Sequence, residues 1–344
     1  MTGLWTALAA VLIFCILIFV HELGHFISAK LLGIRVHEFA IGMGPKLWKR
    51  KKGETLYSVR ALPVGGFCAL EGENESSDDE RALSNKPAWA KLIVLVAGSF
   101  MNLLLGFVLL LCIYGSVDTV AVPQVAFVES GSAAEEAGLL AGDEIIRLGD
   151  RSIHIVEDLS WAKSKLTEAP TEIVVLRDGE KEHKTITPKA IDGTLNLGIR
   201  IAQQPNSLLL TVKTGFYNTC FYAGVVLETF IDLLQGEVGL NQMSGPIGIV
   251  SEIGTAVQQT AEKGWVGFLN LLQLTVLLTV NLGVFNLLPV PALDGGRIFF
   301  VFIEIIRRKP IPLEKEGLVH VIGLVLLLLL SVVIAYMDVI KLLF

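Results

Sequence analysis

Residues 5–32 read WTALAAVLIFCILIFVHELGHFISAKLL. From Trp5 to Val20 there is no charge, and the run suits hydrocarbon; then two imidazoles and a carboxylate follow with no turn signal between. An acid at mid-helix costs about 2.5–3.5 kcal/mol on insertion scales, so some interaction has to offset it. A metal ion would. The HExxH spacing sets His21 and His25 at i and i+4, one above the other on a single helix face, where two ring nitrogens can share one Zn²⁺. Glu22 lies about 100° round the helix, near enough to take a proton from a water held at the metal.

Composition agrees with a lipid setting. The chain has 344 residues, 52% hydrophobic and 18% charged, with a mean hydropathy of +0.61. Apolar runs near 4–20, 91–114, 266–288 and 317–337 each approach the length that crosses roughly 30 Å of hydrocarbon. The first lacks a basic n-region and a small-residue cleavage site, so it is not a cleavable signal peptide. A net charge of −6 gives no reason to expect a nucleic-acid partner. Cys15, Cys68, Cys112 and Cys220 have no CxxC spacing, and two lie in apolar runs; neither a disulfide framework nor a thiolate metal site is indicated.

Basic residues orient the spans. Lys46, Lys49, Arg50, Lys51 and Lys52 follow the first, and Arg297, Arg307, Arg308 and Lys309 separate the third from the fourth, whereas the MTGLW tail has none. Both basic loops should be cytoplasmic, which leaves 120–205 outside. The expected division is a first transmembrane helix over 1–32, a β-rich cytoplasmic-side segment over 33–90, a second span over 91–116, a folded external domain over 120–205, an external juxtamembrane amphipathic region over 206–262, a third span over 265–296 and a fourth over 317–340. Segment 206–235 is apolar, but Lys213, Glu228 and Asp232 dilute it.

Two histidines do not complete a catalytic zinc site, which usually has three protein ligands and an open position. The best third ligand is Asp294 in NLGVFNLLPVPALDGGRIF (281–299), read as the end of an apolar span. His154 and His183 fall in the external domain, and His320 lacks a motif context. Asp294 meets the HELGH depth only if its span also runs outside to inside, which requires that 206–235 does not cross.

The external segment, with SGSAAEEAGLLAGDEI and Leu197-Gly198-Ile199, resembles a PDZ domain in circularly permuted order. HELGH in the first span, that insert, MSGPIGI at Met243–Ile249 and NLLPVPALDGG at Asn286–Gly296 together resemble the site-2 protease family of intramembrane zinc metalloproteases, in its bacterial branch that regulates extracytoplasmic sigma factors. The resemblance covers nearly the whole chain.

It implies a multi-spanning α-helical membrane protein of the bacterial cytoplasmic (inner) membrane. Four transmembrane helices would carry a re-entrant β-rich loop and one inserted extracytoplasmic PDZ-like α/β domain. It implies a zinc endopeptidase with His21, His25 and Asp294 as ligands and Glu22 as general base. Substrates would be transmembrane segments of single-pass membrane proteins already trimmed outside, such as anti-sigma factors or remnant signal peptides. Asn286 and Pro289 match the family's substrate-holding pattern, and an amide offers a peptide backbone both donor and acceptor. Pro289 and Pro291 end regular hydrogen bonding, which is tolerable in a membrane only beside a wet cavity. In the re-entrant loop, Gly66, Phe67, Cys68, Ala69 and Leu70 form the expected docking strand, and Gly198 belongs to the loop that captures peptide carboxylates by strand addition. The chain departs from the family at Ala97–Asn102, AGSFMN, where members have Gly-Pro; a proline bend in the second span is not expected here. Two rival readings are weaker. A PDZ-bearing scaffold has no use for Glu22, and a metal transporter would carry further intramembrane acids.

Overall fold

The computed structural model describes residues 2–73, 75–191, 194–239 and 244–343; Met243, the first residue of the MSGPIGI stretch, lies outside them. The chain divides into two compact units, Met1–Leu109 with Tyr222–Phe344, and Leu110–Phe221. Along the chain the elements are α1 (Thr2–Leu31), β1 (Val36–Lys52), β2 (Thr55–Leu70), α2 (Ala88–Gly115), β3 (Thr119–Val128), α3 (Ala133–Glu136), β4 (Glu144–Leu148), β5 (Arg151–Ser152), α4 (Val156–Ser164), β6 (Thr171–Arg177), β7 (Glu180–Ile186), β8 (Lys189–Ile191), β9 (Thr194–Asn196), β10 (Ile199–Pro205), α5 (Leu208–Gln235), α6 (Pro246–Lys263), α7 (Trp265–Leu287), α8 (Asp294–Arg307) and α9 (Leu313–Leu343).

Among the described residues, four helices are long and apolar enough to cross a membrane: Gly3–Leu31, Ala88–Gly115, Trp265–Leu287 and Leu313–Lys341. Helix α5 is not one of them, its apolar character interrupted by Lys213, Glu228 and Asp232. The region 206–262 holds two helices among its described residues: α5 stops at Gln235, Gly236 takes φ +77°, and α6 begins at Pro246. Proline at the first helical position has no N–H to lose. The carboxylate of Asp338 in α9 accepts from Gly245 N at 3.1 Å and Gly248 N at 2.9 Å, taking over the cap that no local side chain provides. One expectation needs correction: the third span does not run unbroken from 265 to 296. Helix α7 ends at Leu287, and Asp294 opens α8 rather than closing α7. Pro289 and Pro291 forbid the intervening ladder, and Ala292 adopts φ +77°.

In the first unit, β1 and β2 wrap on each other. Residues 36–41 pair antiparallel with 70–66 (Val36↔Leu70, Phe39↔Cys68, Ile41↔Gly66) and also flank 56–59. Residues 46–52 pair with 60–55, from Lys46↔Arg60 to Lys52↔Thr55. The second strand alternates as a half-buried strand should: Cys68 and Leu70 are buried in a cluster with Ala29, Ile34, Val36, Phe39, Leu83 and Val94, while Phe67 and Ala69 are less covered. A second cluster joins Ala10, Ile13 and Leu17 of α1 to Ile253 of α6. Helices pack closely where side chains are small. A Cβ on Gly24 would meet Ala97 O at 2.3 Å, and one on Gly267 would meet Gln259 O at 2.1 Å, so only glycine permits these α1–α2 and α6–α7 approaches.

In the second unit the sheet order is β10-β3-β4-β6-β7, with β5 pairing β4 and a separate β8–β9 hairpin. Its core is built from Val125, Leu139, Ile145, Leu148, Leu159, Ile173, Val175, Ile186 and Leu197, with α4 contributing Leu159 and Ala162.

Candidate metal centre

Three side chains from two helices converge. His21 and His25 come from α1 and Asp294 from the first turn of α8. His21 Nε2 lies 3.0 Å from Asp294 Oδ2, His25 Nε2 lies 3.3 Å from the same oxygen, and the two Nε2 atoms are 3.2 Å apart. Zinc bonds of about 2.0–2.1 Å at tetrahedral angles would separate ligand atoms by roughly 3.3 Å. The spacing of the three donor atoms therefore matches that of a zinc site. His21 is 7% and His25 8% exposed, so the three groups form a nearly dry donor set.

Helix α2 holds the imidazoles from behind. Val94, Gly98 and Asn102 recur every four residues and so share one face. The Nδ1–H of His25 donates to Val94 O at 2.8 Å, which leaves the Nε2 lone pair free to face the centre. Asn102 reaches His21 Nδ1 at 3.3 Å. Gly98 sits against both rings: a Cβ there would lie 2.4 Å from His25 Nε2 and 2.8 Å from His21 Nε2.

The break between α7 and α8 delivers Asp294. A Cβ on Gly295 would lie 2.0 Å from Leu288 O, and one on Gly296 2.7 Å from Val290 O, so the Asp-Gly-Gly sequence lets α8 start tucked beneath the loop. His320 of α9 accepts from Ala292 N through Nδ1 at 2.8 Å. The histidine without a motif context thus braces the ligand loop instead of joining it.

The triangle opens on a cavity of about 380 Å³ lined by His21, Glu22, His25, Asp294, Phe67, Cys68, Ala69, Leu70, Glu73 and Arg297, among others. Gly66 stands beside Glu22, its Cβ position 3.7 Å from Glu22 Cγ. Four of the five residues expected in the docking strand therefore line the cavity, and the fifth adjoins it. Asn286, Pro289 and Pro291 are not among the lining residues; Pro291 instead borders an apolar groove with Ile322, Gly323 and Leu326 of α9. Gly198 belongs to the other unit. Its φ is +75°, its N–H donates to Asn196 Oδ1 at 3.0 Å, and a Cβ there would strike Ser132 Cβ at 2.1 Å.

Sequence reasoning missed Val94, Gly98, Asn102, Glu73 and Arg297. Gly98 and Asn102 carried only a spacing, four apart inside an apolar span, that does not show what they face, and Val94 carried no signal because it acts through its backbone carbonyl. Glu73 and Arg297 had none, since their meaning lies in a contact across 224 positions.

A family model described as Peptidase family M50 matches residues 9–330. A provisionally named zinc metalloprotease of Clostridium perfringens is 40% identical over 338 residues, covering 96% of this chain and 97% of its own. The regulator of sigma-W protease RasP of Bacillus subtilis is 30% identical over 421 residues, covering 97% of this chain and 98% of its own. The zinc metalloprotease RasP of Bacillus licheniformis matches at the same identity and coverage.

Proposed function

The chain belongs to peptidase family M50 and is a zinc metalloprotease with membrane-spanning helices, and from that premise we propose that it cuts the transmembrane segments of single-pass membrane proteins within the bacterial cytoplasmic membrane. His21, His25 and Asp294 hold the zinc, and Glu22 is the general base. When bound, the ion supplies Lewis acidity toward the scissile carbonyl. Glu22 accepts a proton from the attacking water and passes it to the leaving amine as the C–N bond breaks, leaving a carboxylate and an amine. The observation that carries this reading is a triangle of donor atoms 3.0–3.3 Å apart that shares one cavity with the Glu22 carboxylate, which stands outside the triangle.

A transmembrane helix hides its carbonyls in its own hydrogen bonds, and each group freed in a dry setting costs several kcal/mol unless it finds a partner. Residues 66–70, paired on one side with 41–36 and lining the cavity, can supply those partners to an unwound segment added as a strand. Asn286, half-buried at the end of α7, would steady the substrate backbone. The name of the Bacillus subtilis relative, a regulator of sigma-W protease, supports anti-sigma factors as a substrate class, with remnant signal peptides beside them. Residues 120–205 would form one extracytoplasmic PDZ-like domain whose Gly198 loop takes an extended peptide.

The test is zinc content alongside cleavage of a reconstituted transmembrane substrate. Glu22→Gln should keep zinc and lose cleavage, because an amide is no base. His21→Ala, His25→Ala and Asp294→Ala should lose both. One zinc per chain in Asp294→Ala would overturn the ligand set.

A further inference from the structure

Asn102 is 0% exposed within α2. Its backbone carbonyl accepts from Thr279 Oγ1 at 3.1 Å, and a Cβ on Gly283 would come 3.3 Å from Asn102 Cβ, so α7 clamps it in place. Its Nδ2 faces His21 Nδ1 at 3.3 Å, and its Oδ1 is buried without a hydrogen-bond partner. That arrangement suits one tautomer of His21, in which Nδ1 accepts and the Nε2–H donates to Asp294 across 3.0 Å. It does not suit zinc, which needs the Nε2 lone pair and therefore puts the ring proton on Nδ1.

We propose that Asn102 is the positioning residue for the zinc ligand His21: a half-turn about its Cβ–Cγ bond sets the idle Oδ1 against the Nδ1–H that His21 carries when Nε2 faces the metal. The inference rests on the ligand set proposed above. The two imidazoles are then served differently. His25 has the fixed carbonyl of Val94, which can only accept and so holds the metal-binding tautomer whether or not the ion is present. His21 has an uncharged amide that donates in one orientation and accepts in the other. A carboxylate at 102 would accept in both orientations. An apolar side chain would leave the His21 Nδ1–H buried and unpaired, and losing a partner of this kind typically weakens metal binding 10–100-fold.

The experiment is zinc competition against a chelator of known affinity, with the full chain in nanodiscs, for wild type, Asn102→Leu, Asn102→Ala and Asn102→Asp. Helicity and thermal midpoint of the metal-free proteins serve as controls for packing. The Leu and Ala variants should release zinc to 10–100-fold weaker chelator conditions, while Asp, which keeps the acceptor and loses the donor, should hold zinc at least as tightly as wild type. Wild-type retention in the Leu or Ala variant overturns the proposal. So does weakened retention in the Asp variant, and that reading survives even if Leu and Ala disturb folding. Stoichiometric zinc in His21→Ala would instead overturn the ligand set, a separate and distinguishable result.

Discussion

Arg297, three residues beyond Asp294, donates through Nη1 to Glu73 Oε1 at 2.6 Å. The other oxygen of that carboxylate accepts from Leu70 N at 3.3 Å. One ion pair thus ties the helix that begins at Asp294, a proposed metal ligand, to the end of the strand beside it. Glu73→Gln and Arg297→Met should keep zinc while lowering cleavage by roughly 10–100-fold, because an ångström of misplacement between substrate and reacting groups costs about that much. Metal analysis with single-turnover cleavage checks this; zinc loss in either variant, or unchanged turnover in both, would show that the pair does not set the strand.

Proline at Cys68 removes a backbone donor from the strand lining the cavity, and proline at Leu70 removes the donor that anchors the end of that strand to Glu73. Each variant should bind zinc and cleave slowly, and the deficit should shrink for substrates whose helix is weakened by Gly or Ser near the cut. Normal rates in both variants would exclude strand addition as the docking mode.

Gly98→Ala should lose zinc outright. Its methyl would sit 2.4 Å from His25 Nε2 and 2.7 Å from His21 Cε1, and it is flanked by helix backbone on one side and both ligands on the other. Stoichiometric metal in this variant would mean that α2 yields by more than close packing allows.

Membrane orientation is open to a labelling experiment. In a cysteine-free background, a cysteine at Ser132 should react with an impermeant thiol reagent from outside the cell, and cysteines at Lys51 or Lys309 only once the membrane is opened. Outside labelling at 309 would mean that α5 crosses as well.

The second unit should weaken in acid through Asp143. Burial pushes its pKa up, but paired 2.7 Å bonds from Arg177 and the N–H of Leu140 outweigh that and hold it below the ordinary carboxylate value. A depressed folded-state pKa contributes stability that is present above the unfolded value near 3.9 and lost as pH falls through the folded one. Hydrogen-exchange protection of β4 and β6, corrected for intrinsic rates, should therefore hold from neutrality to about pH 5 and fall below about pH 4. Arg177→Met should lower the thermal midpoint of the second unit at neutral pH by stranding the Asp143 carboxylate without its cation.

The residues proposed as metal ligands and base stand out in the sequence because metal chemistry imposes spacing. His21 and His25 are fixed four apart by the helix repeat, and Asp294 is marked by the glycines its tight loop requires. The strand 66–70 was legible from its alternation and flanking glycines. The α7–α8 break was half legible: Pro289 and Pro291 announce it, yet the apolar run continues to Leu293 and hides on which side of the break Asp294 falls. Asn102 and Glu73 were not legible, since an isolated polar residue acquires meaning only from what packs opposite, and those partners lie 81 and 224 positions away.

His21 and Asp294 are 273 positions apart, and that distance has a meaning in time. At about 5–20 residues per second of synthesis, the first helix waits roughly 14–55 s in the bilayer before the aspartate leaves the ribosome. A nascent chain in that interval has histidines and a base but no third ligand. On the proposed ligand set, a chain stalled or truncated before residue 294 lacks the third ligand and cannot assemble the centre.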